Sequence, residues 1–407
     1  MSSFSSFSLP SFLNDSLKRL GISTPTPIQE QAIPEGLKGH DILASAQTGT
    51  GKTIAYLIPL ITNLIKDSNS SALILAPTRE LAAQIQASAC ALLSQKMRSA
   101  LLIGGAPMMK QISDLKRNPR LIIGTPGRVN DHLVRRTLKL TNTRFLVLDE
   151  VDRMLDMGFS EALKKILPHL AKERQTFMFS ATMAGDIKKI SLTYLKNPQQ
   201  ISVGSTHEPV LKIKQETCRA SSNEKFPFLL KELEIRKGSI LVFVKTKHGA
   251  DRLAKKLNQQ KLSVSAIHGN LKQRKRDAVI NDFRKLKTRI MVATDVAARG
   301  LDIPHIMHVI NYDLPQSPED YIHRIGRTGR AGMEGFALSF ISPDELHKWQ
   351  RIHNLMNNIK APENTKKHTV FSHKRKKKIK APLTSVIAKK NTSKPYSWKN
   401  KRFSKRG

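Results

Sequence analysis

A chain of 407 residues is long enough for two or three folded domains, and 39% apolar content is ordinary for a soluble protein. A formal net charge of +37 calls for a polyanionic partner, either nucleic acid or an acidic membrane surface. Two cysteines far apart, Cys90 and Cys218, do not suggest a disulfide framework, and no Cys/His spacing matches a zinc site. The opening MSSFSSFSLP lacks the basic and apolar regions of a signal peptide, and no run of about 18 apolar residues marks a membrane span. The expectation is a soluble protein of a reducing, intracellular compartment with no membrane partner.

Along the chain, DILASA, ALILAP, RSALLIGG, RLIIGTP, RFLVLDE and QTFMFSAT read as buried strands. Between them, stretches such as ELAAQIQASACALLSQ carry helical spacing, and this alternation predicts βαβ units with a parallel sheet covered on both faces. The rhythm pauses near residues 203–215 and restarts with SILVFVKT, VSAIHG, RIMVATD, IMHVINYD and GFALSFIS, which predicts a second α/β domain. From about Lys360 the pattern dissolves into a Lys/Arg-rich stretch nearly free of acids, expected to be a disordered basic tail.

Three clusters carry chemistry. ASAQTGTGKT, residues 44–53, follows a strand and precedes a helix, approximating a Walker A loop with Ala46 in place of the usual first glycine. Ala46, Gln47, Thr48, Gly49, Thr50 and Gly51 would curl backbone N–H groups around phosphate oxygens; Lys52 would reach the β- and γ-phosphates, and Thr53 would hold Mg²⁺. FLVLDEVDRML, residues 145–155, crowds Asp149, Glu150 and Asp152 at a strand end, where like charges repel unless a divalent cation is bound. Asp149 fits the Mg²⁺ side, through water, and Glu150 fits the group that orients and deprotonates the attacking water. Taken alone, such a cluster could equally be a helix N-cap. HRIGRTGRAG, residues 323–332, spaces three arginines three apart, suited to a γ-phosphate by their planar forks, or alternatively a solvated basic loop.

Together with PTPIQ (25–29), PTRELA (77–82), GG (104–105), TPGR (125–128), SAT (180–182), VFVKT (242–246), QRKR (273–276) and ATDVAARGLDIP (293–304), these clusters stand in the order found in DEAD-box RNA helicases, which the chain resembles from about residue 4 to 345. The short N-terminus and basic tail look most like bacterial RhlE-type members. The resemblance implies an α/β fold of two RecA-like parallel-sheet domains in tandem. The corresponding boundaries are 1–205 for the ATP-binding domain, 206–214 for the linker, 215–359 for the second domain and 360–407 for the tail. It implies ATP and Mg²⁺ as cofactors and RNA as partner. Gln29 would read the adenine edge, Phe4 would be the isolated upstream aromatic, and Ile22 would lie against the adenine face where an aromatic is common. Asp302 would contact the ribose, and Asp295, Arg327 and Arg330 would face the phosphates. Ser180 and Thr182 would couple ATP state to strand separation with Asp152 as neighbour, and His323 would relay to the first domain. RNA contacts would come from Pro77, Thr78, Arg79, Gly105, Thr125, Arg128, Gly269 and Thr294, reading sugar–phosphate shape rather than sequence.

The family's usual alanine is replaced by Val151, an apolar position without chemistry. The resulting expectation is a cytoplasmic ATP-dependent RNA helicase that unwinds duplexes locally, acting on ribosomal precursors or with the RNA-decay machinery. Its rivals are a DNA-directed translocase of the same superfamily and a non-processive RNA clamp or chaperone. The tail, with Tyr396, Trp398 and Phe403 among lysines, is expected to tether RNA by counterion release and stacking; a nuclear import signal at KRKKK and simple solubility are the alternatives.

Overall fold

Buried runs of Leu, Ile and Val build two sheets, and both are parallel throughout. The computed structural model describes residues 3–46, 49–93, 97–181, 183, 185–203, 213–298, 303, 305–329 and 334–360. The first sheet holds β1 (Ile42–Ser45), β2 (Ser71–Leu75), β3 (Ser99–Leu102), β4 (Leu121–Gly124), β5 (Thr143–Leu148), β6 (Gln175–Ser180) and β7 (Gln199–Ser202). Their spatial order is β3-β4-β2-β5-β6-β1-β7. The second sheet holds β8 (Ile213–Arg219), β9 (Ser239–Phe243), β10 (Val264–Ile267), β11 (Ile290–Ala293), β12 (Ile306–Asn311) and β13 (Gly335–Ile341), in the order β10-β11-β9-β12-β13-β8. Every ladder is parallel, from Ile42↔Phe177 in the first sheet to Gly335↔Ile213 in the second. All carboxyl ends of one sheet therefore share one edge, the place where open α/β sheets bind ligands.

Helices cover both faces, so β1, β4, β6, β9 and β11 are buried at every residue. Two apolar clusters, one around Tyr56, Ile74 and Phe179 and one around Leu73, Leu148 and Met178, flank the first sheet. Two more flank the second sheet, around Val242 and Phe340 and around Phe243 and Phe283. The last helix, Leu346–Lys360, adds Trp349, Ile352 and Met356 to Tyr321 and Ile325, and so braces the helix Pro318–Ile325 that carries His323 and Arg324.

Local signals set the helix starts at the ligand edge. Pro27 occupies the first turn behind Thr26. Pro126 follows Thr125, and Ser317 caps Pro318–Ile325 by accepting from Asp320 N. The sheets contain two strands that hydrophobic patterning does not reveal. β7 buries only Ile201, and β8 is an edge strand burying only Ile213 fully, so neither shows an apolar run. β8 begins at Ile213, two residues inside the span expected as a linker. No helix among the described residues is long and apolar enough to cross a membrane.

Candidate active site

The loop after β1 rises from the sheet on a hydrogen bond from Ala46 N to Ser180 O, 3.0 Å. It enters the helix Lys52–Lys66 through Gly51 at φ 92. A Cβ on Gly51 would sit 2.4 Å from Gln29 Nε2, so glycine is required both by dihedral and by space. Gln29 is 3% exposed and uses its carboxamide within the chain: Nε2 donates to Gly51 O (3.0 Å), and Oε1 accepts from Thr26 N (3.0 Å). The adenine-reading role expected of Gln29 is not tested by these bonds. At the third position of its helix Gln29 ties the start of that helix to the phosphate loop. Phe4 is likewise turned inward, 4% exposed and edge-on to Phe7 at 5.9 Å. Ile22 packs against the same apolar cluster.

Lys52 opens the helix and is buried, and its Nζ has no hydrogen-bond partner among the described residues. Asp149 and Glu150 are each 2% exposed. Burial raises the Asp149 pKa to about 6, with Glu150 adding to the rise and Lys52 opposing it. Asp149 Oδ2 accepts from Tyr56 Oη at 3.0 Å, while Oδ1 has no partner among the described residues. Tyr56 is fully buried against Phe179, centroids 5.3 Å apart. Burial, the nearby Asp149 charge foremost after it, pushes its hydroxyl pKa well above the ordinary value. A buried carboxylate oxygen and ammonium left open beside Thr53 fit a hydrated divalent cation and an anionic phosphate.

Glu150 sits at φ 54, ψ 55, left-handed backbone that costs a non-glycine residue about 1–2 kcal/mol. It occupies the cap position of the helix Val151–Asp156, yet its side chain makes no cap bond. Its Oε2 lies 3.4 Å from Arg153 Nε instead. The N-cap alternative for this cluster therefore does not account for Glu150. Asp152 does meet the motif expected beside it: Oδ2 accepts from Ala181 N at 2.9 Å, next to Ser180. Val151 is fully buried among Leu148, Met154 and Met178.

Opposite this edge, the second lobe's arginines divide their labour. Arg324 binds both oxygens of Asp295 (2.5 and 2.8 Å), Asn311 Oδ1 (3.1 Å) and Asp313 O (2.6 Å), and lies over the Phe243 ring. Asp295 is thus held by its neighbour Arg324. Arg327, 4% exposed, donates Nε to His323 O at 3.2 Å. It lines a narrow seam with Arg153, Asp295, His323 and Arg324. Arg153 Nη2 is 3.2 Å from His323 Nδ1, so His323 touches the helix that follows Glu150.

The expected RNA residues also follow strand ends. Pro77, Thr78 and Arg79 come after β2, Gly105 after β3, Thr125 and Arg128 after β4, Gly269 after β10 and Thr294 after β11. Thr78 Oγ1 accepts from Leu81 N (3.2 Å), and Arg128 Nη1 donates to Ala106 O (3.2 Å). Here too the lobes touch: Arg79 Nη1 donates to Gln273 Oε1 (2.9 Å), Gln273 Nε2 to Glu80 Oε1 (3.4 Å), and Arg276 Nε to Glu80 Oε1. Glu80 and Arg276 are almost fully buried at this junction. Gln47, Thr48, Thr182, Asp302, Arg330 and the basic tail lie outside the described residues. Sequence reasoning did not single out Tyr56, Glu80 or Arg153. Tyr56 stands one helical turn after Lys52, and that spacing was the available signal.

Two α/β lobes with a phosphate-type loop and a paired-acid strand end on one, and an arginine helix on the other, define a nucleotide-driven motor of the RecA-like class. Residues 26–190 match the DEAD/DEAH box helicase family model, and residues 224–332 match the helicase conserved C-terminal domain. The ATP-dependent RNA helicase CshA of Listeria monocytogenes is 45% identical over 349 residues, 85% of this chain and 67% of its own length. The structure of S. cerevisiae Dbp5 bound to RNA and ADP BeF3 superposes with a TM-score of 0.78 at 33% identity, covering 88% of this chain and 93% of that one. A DEAD box protein of Methanococcus jannaschii gives a TM-score of 0.51 at 39% identity, over 87% of this chain and 97% of that one. The chain belongs to the DEAD-box family of ATP-dependent RNA helicases.

Proposed function

We propose that this chain, like CshA in its core, unwinds RNA duplexes locally by closing its two lobes over ATP and one RNA strand. The CshA relative replaces the expected RhlE-type likeness as the guide to subtype. The carrying observation is that the lobes join at two places. Arg79 and Glu80 meet Gln273 and Arg276 beside the RNA candidates, and Arg153 meets His323 beside Glu150. The whole-chain likeness is higher to Dbp5 with RNA and ADP BeF3 than to the M. jannaschii protein, although identity runs the other way. Lobe placement, rather than sequence, is the simplest source of that difference, and it supports closure as the working step.

In this reading the loop from Ala46 to Gly51, with Gln47 and Thr48, binds the phosphates, and Lys52 neutralises their charge. Thr53 and Asp149 would hold Mg²⁺, which would supply positive charge for the phosphate oxygens and the leaving group. Glu150 orients the attacking water and takes its proton. Arg327 and Arg330 stabilise the charge that develops on the transferred phosphoryl group. Asp302 holds the ribose. Ser180, Thr182 and Asp152 pass the change to the RNA face, where Pro77, Thr78, Arg79, Gly105, Thr125, Arg128, Gly269 and Thr294 bind the backbone of a bent strand. The basic tail adds sequence-independent affinity with a steep salt dependence. We divide the chain into 1–205, a linker 206–212 and a second lobe 213–359, two residues earlier than expected because β8 begins at Ile213. A cytoplasmic site of action, on ribosomal precursors or decaying RNA, completes the proposal.

A Glu150→Gln variant tests it. Loss of the proton acceptor should lower RNA-stimulated ATPase by about 10²–10⁴-fold while nucleotide and RNA still bind together. Turnover at the wild-type rate would remove Glu150 from the chemistry. Stimulation by DNA equal to that by RNA would favour the translocase reading instead.

A further inference from the structure

The turn Ile103–Ala106, which carries Gly104 and Gly105, is held by side chains that no motif above includes. Gln111 is 2% exposed and donates Nε2 to Ile103 O (3.0 Å) and to Ala106 O (3.3 Å). Arg128 Nη1 donates to the same Ala106 oxygen. With both amide hydrogens spent on the turn, Gln111 Oε1 needs a donor, and His132 Nε2 lies 3.2 Å away. His132 is fully buried; burial, and then the charge of Arg128, hold its pKa below the ordinary value. A neutral ring protonated at Nε2 must accept at Nδ1, and Thr137 Oγ1 stands 2.8 Å from it. The Thr137 hydroxyl has a second acceptor in the His132 carbonyl, 3.2 Å away, and the run Thr137–His132–Gln111 ends on the carbonyls that flank the two glycines.

The other side of the turn faces the second lobe. Gly105 has φ 79, and a Cβ there would lie 2.5 Å from Arg79 Nη1 and 3.2 Å from Gln273 Cβ. We propose that Gln111 and His132 are positioning residues that preset the Gly104–Gly105 turn for the RNA strand and for closure of Gln273 and Arg79 against it. The inference rests on the RNA reading given above. Neither residue touches ATP chemistry. Their contribution is to remove the freedom of a glycine-rich turn before RNA arrives, so that the ordering cost is not charged against binding.

The test uses the full chain, ATP and single-stranded poly(U). Gln111→Met keeps the side-chain length and removes both donors. The RNA concentration for half-maximal ATPase stimulation should rise about tenfold, the scale of one buried hydrogen bond, while kcat at saturating RNA stays within about twofold. His132→Phe leaves the amide without its fixing donor and should raise it about threefold. The double variant should match Gln111→Met alone, because both act through one turn. A merely structural role would lower kcat and thermal stability with the half-saturation point unchanged, and that result overturns the proposal. Hydrogen exchange on the wild-type chain bears on it independently of any variant. Amides 103–106, residue 107 being a proline, should already be protected without RNA, and protection that appears only after RNA is added contradicts presetting. A wild-type ATPase indifferent to poly(U) would defeat the RNA reading and the presetting of the turn with it; a stimulated wild type with an unchanged Gln111→Met defeats the presetting alone.

Discussion

The two lobes treat their charged groups in opposite ways. In the first, Lys52 Nζ and Asp149 Oδ1 are buried with no hydrogen-bond partner among the described residues. In the second, Arg324 is paired with Asp295, Asn311 and the Asp313 carbonyl, and Arg327 with the His323 carbonyl. A buried polar group without a partner costs about 1–3 kcal/mol, and a charged one more. The first lobe therefore carries a standing cost that a ligand relieves. The second lobe has already satisfied its core arginine, and that fixed frame is what sets Arg327 on the seam. In the proposed mechanism one lobe receives the ligand and the other delivers a charge.

Four variants break or sharpen this contrast. The largest effect is expected from Arg327→Ala, which removes the delivered charge; RNA-stimulated kcat should fall by about 10³-fold or more with ATP affinity little changed. A loss confined to ATP affinity would place Arg327 among ordinary binding groups. Next comes the seam itself. Glu80→Gln leaves Arg276 buried without its counter-charge. It should reduce duplex unwinding at limiting RNA about tenfold, read by strand displacement, with little change in RNA-independent nucleotide binding. Tyr56→Phe removes one bond to Asp149 and should raise the Mg²⁺ concentration needed to bind a fluorescent ATP analogue by a few-fold, roughly 1 kcal/mol. An unchanged Mg²⁺ titration would make the tyrosine hydroxyl a packing detail. Val151→Ala is the smallest in activity: ATPase should stay within about threefold although removing two buried carbons costs about 2 kcal/mol of stability, visible in thermal melting.

The same contrast explains what the sequence made legible. Strands buried on both faces announce themselves as apolar runs, so β1 to β6 and β9 to β13 could be read directly. β7 and β8 could not, because each buries only one residue fully, Ile201 and Ile213, whereas the edge strands β3 and β10 each bury two. Residues whose chemistry is fixed by a short motif, such as Lys52 and Glu150, were visible for the same reason that they are buried at strand ends. What the sequence did not reveal is partners distant in the chain. Gln29 is captured by Gly51, and Asp295 by Arg324, and neither partner is implied by spacing. Glu80 lies 196 residues from Arg276, so only the fold could join them.

The proposed closure would make ATP and RNA helpers of one another, and linkage requires the help to be reciprocal. Binding of a short single-stranded RNA, followed by fluorescence anisotropy with and without a nonhydrolysable ATP analogue, and the converse titration of the analogue with and without RNA, tests this most directly. The account predicts that each ligand tightens the other by the same factor, about tenfold or more. Affinities that are independent of one another would show that the lobes do not close over both ligands together, and would contradict it.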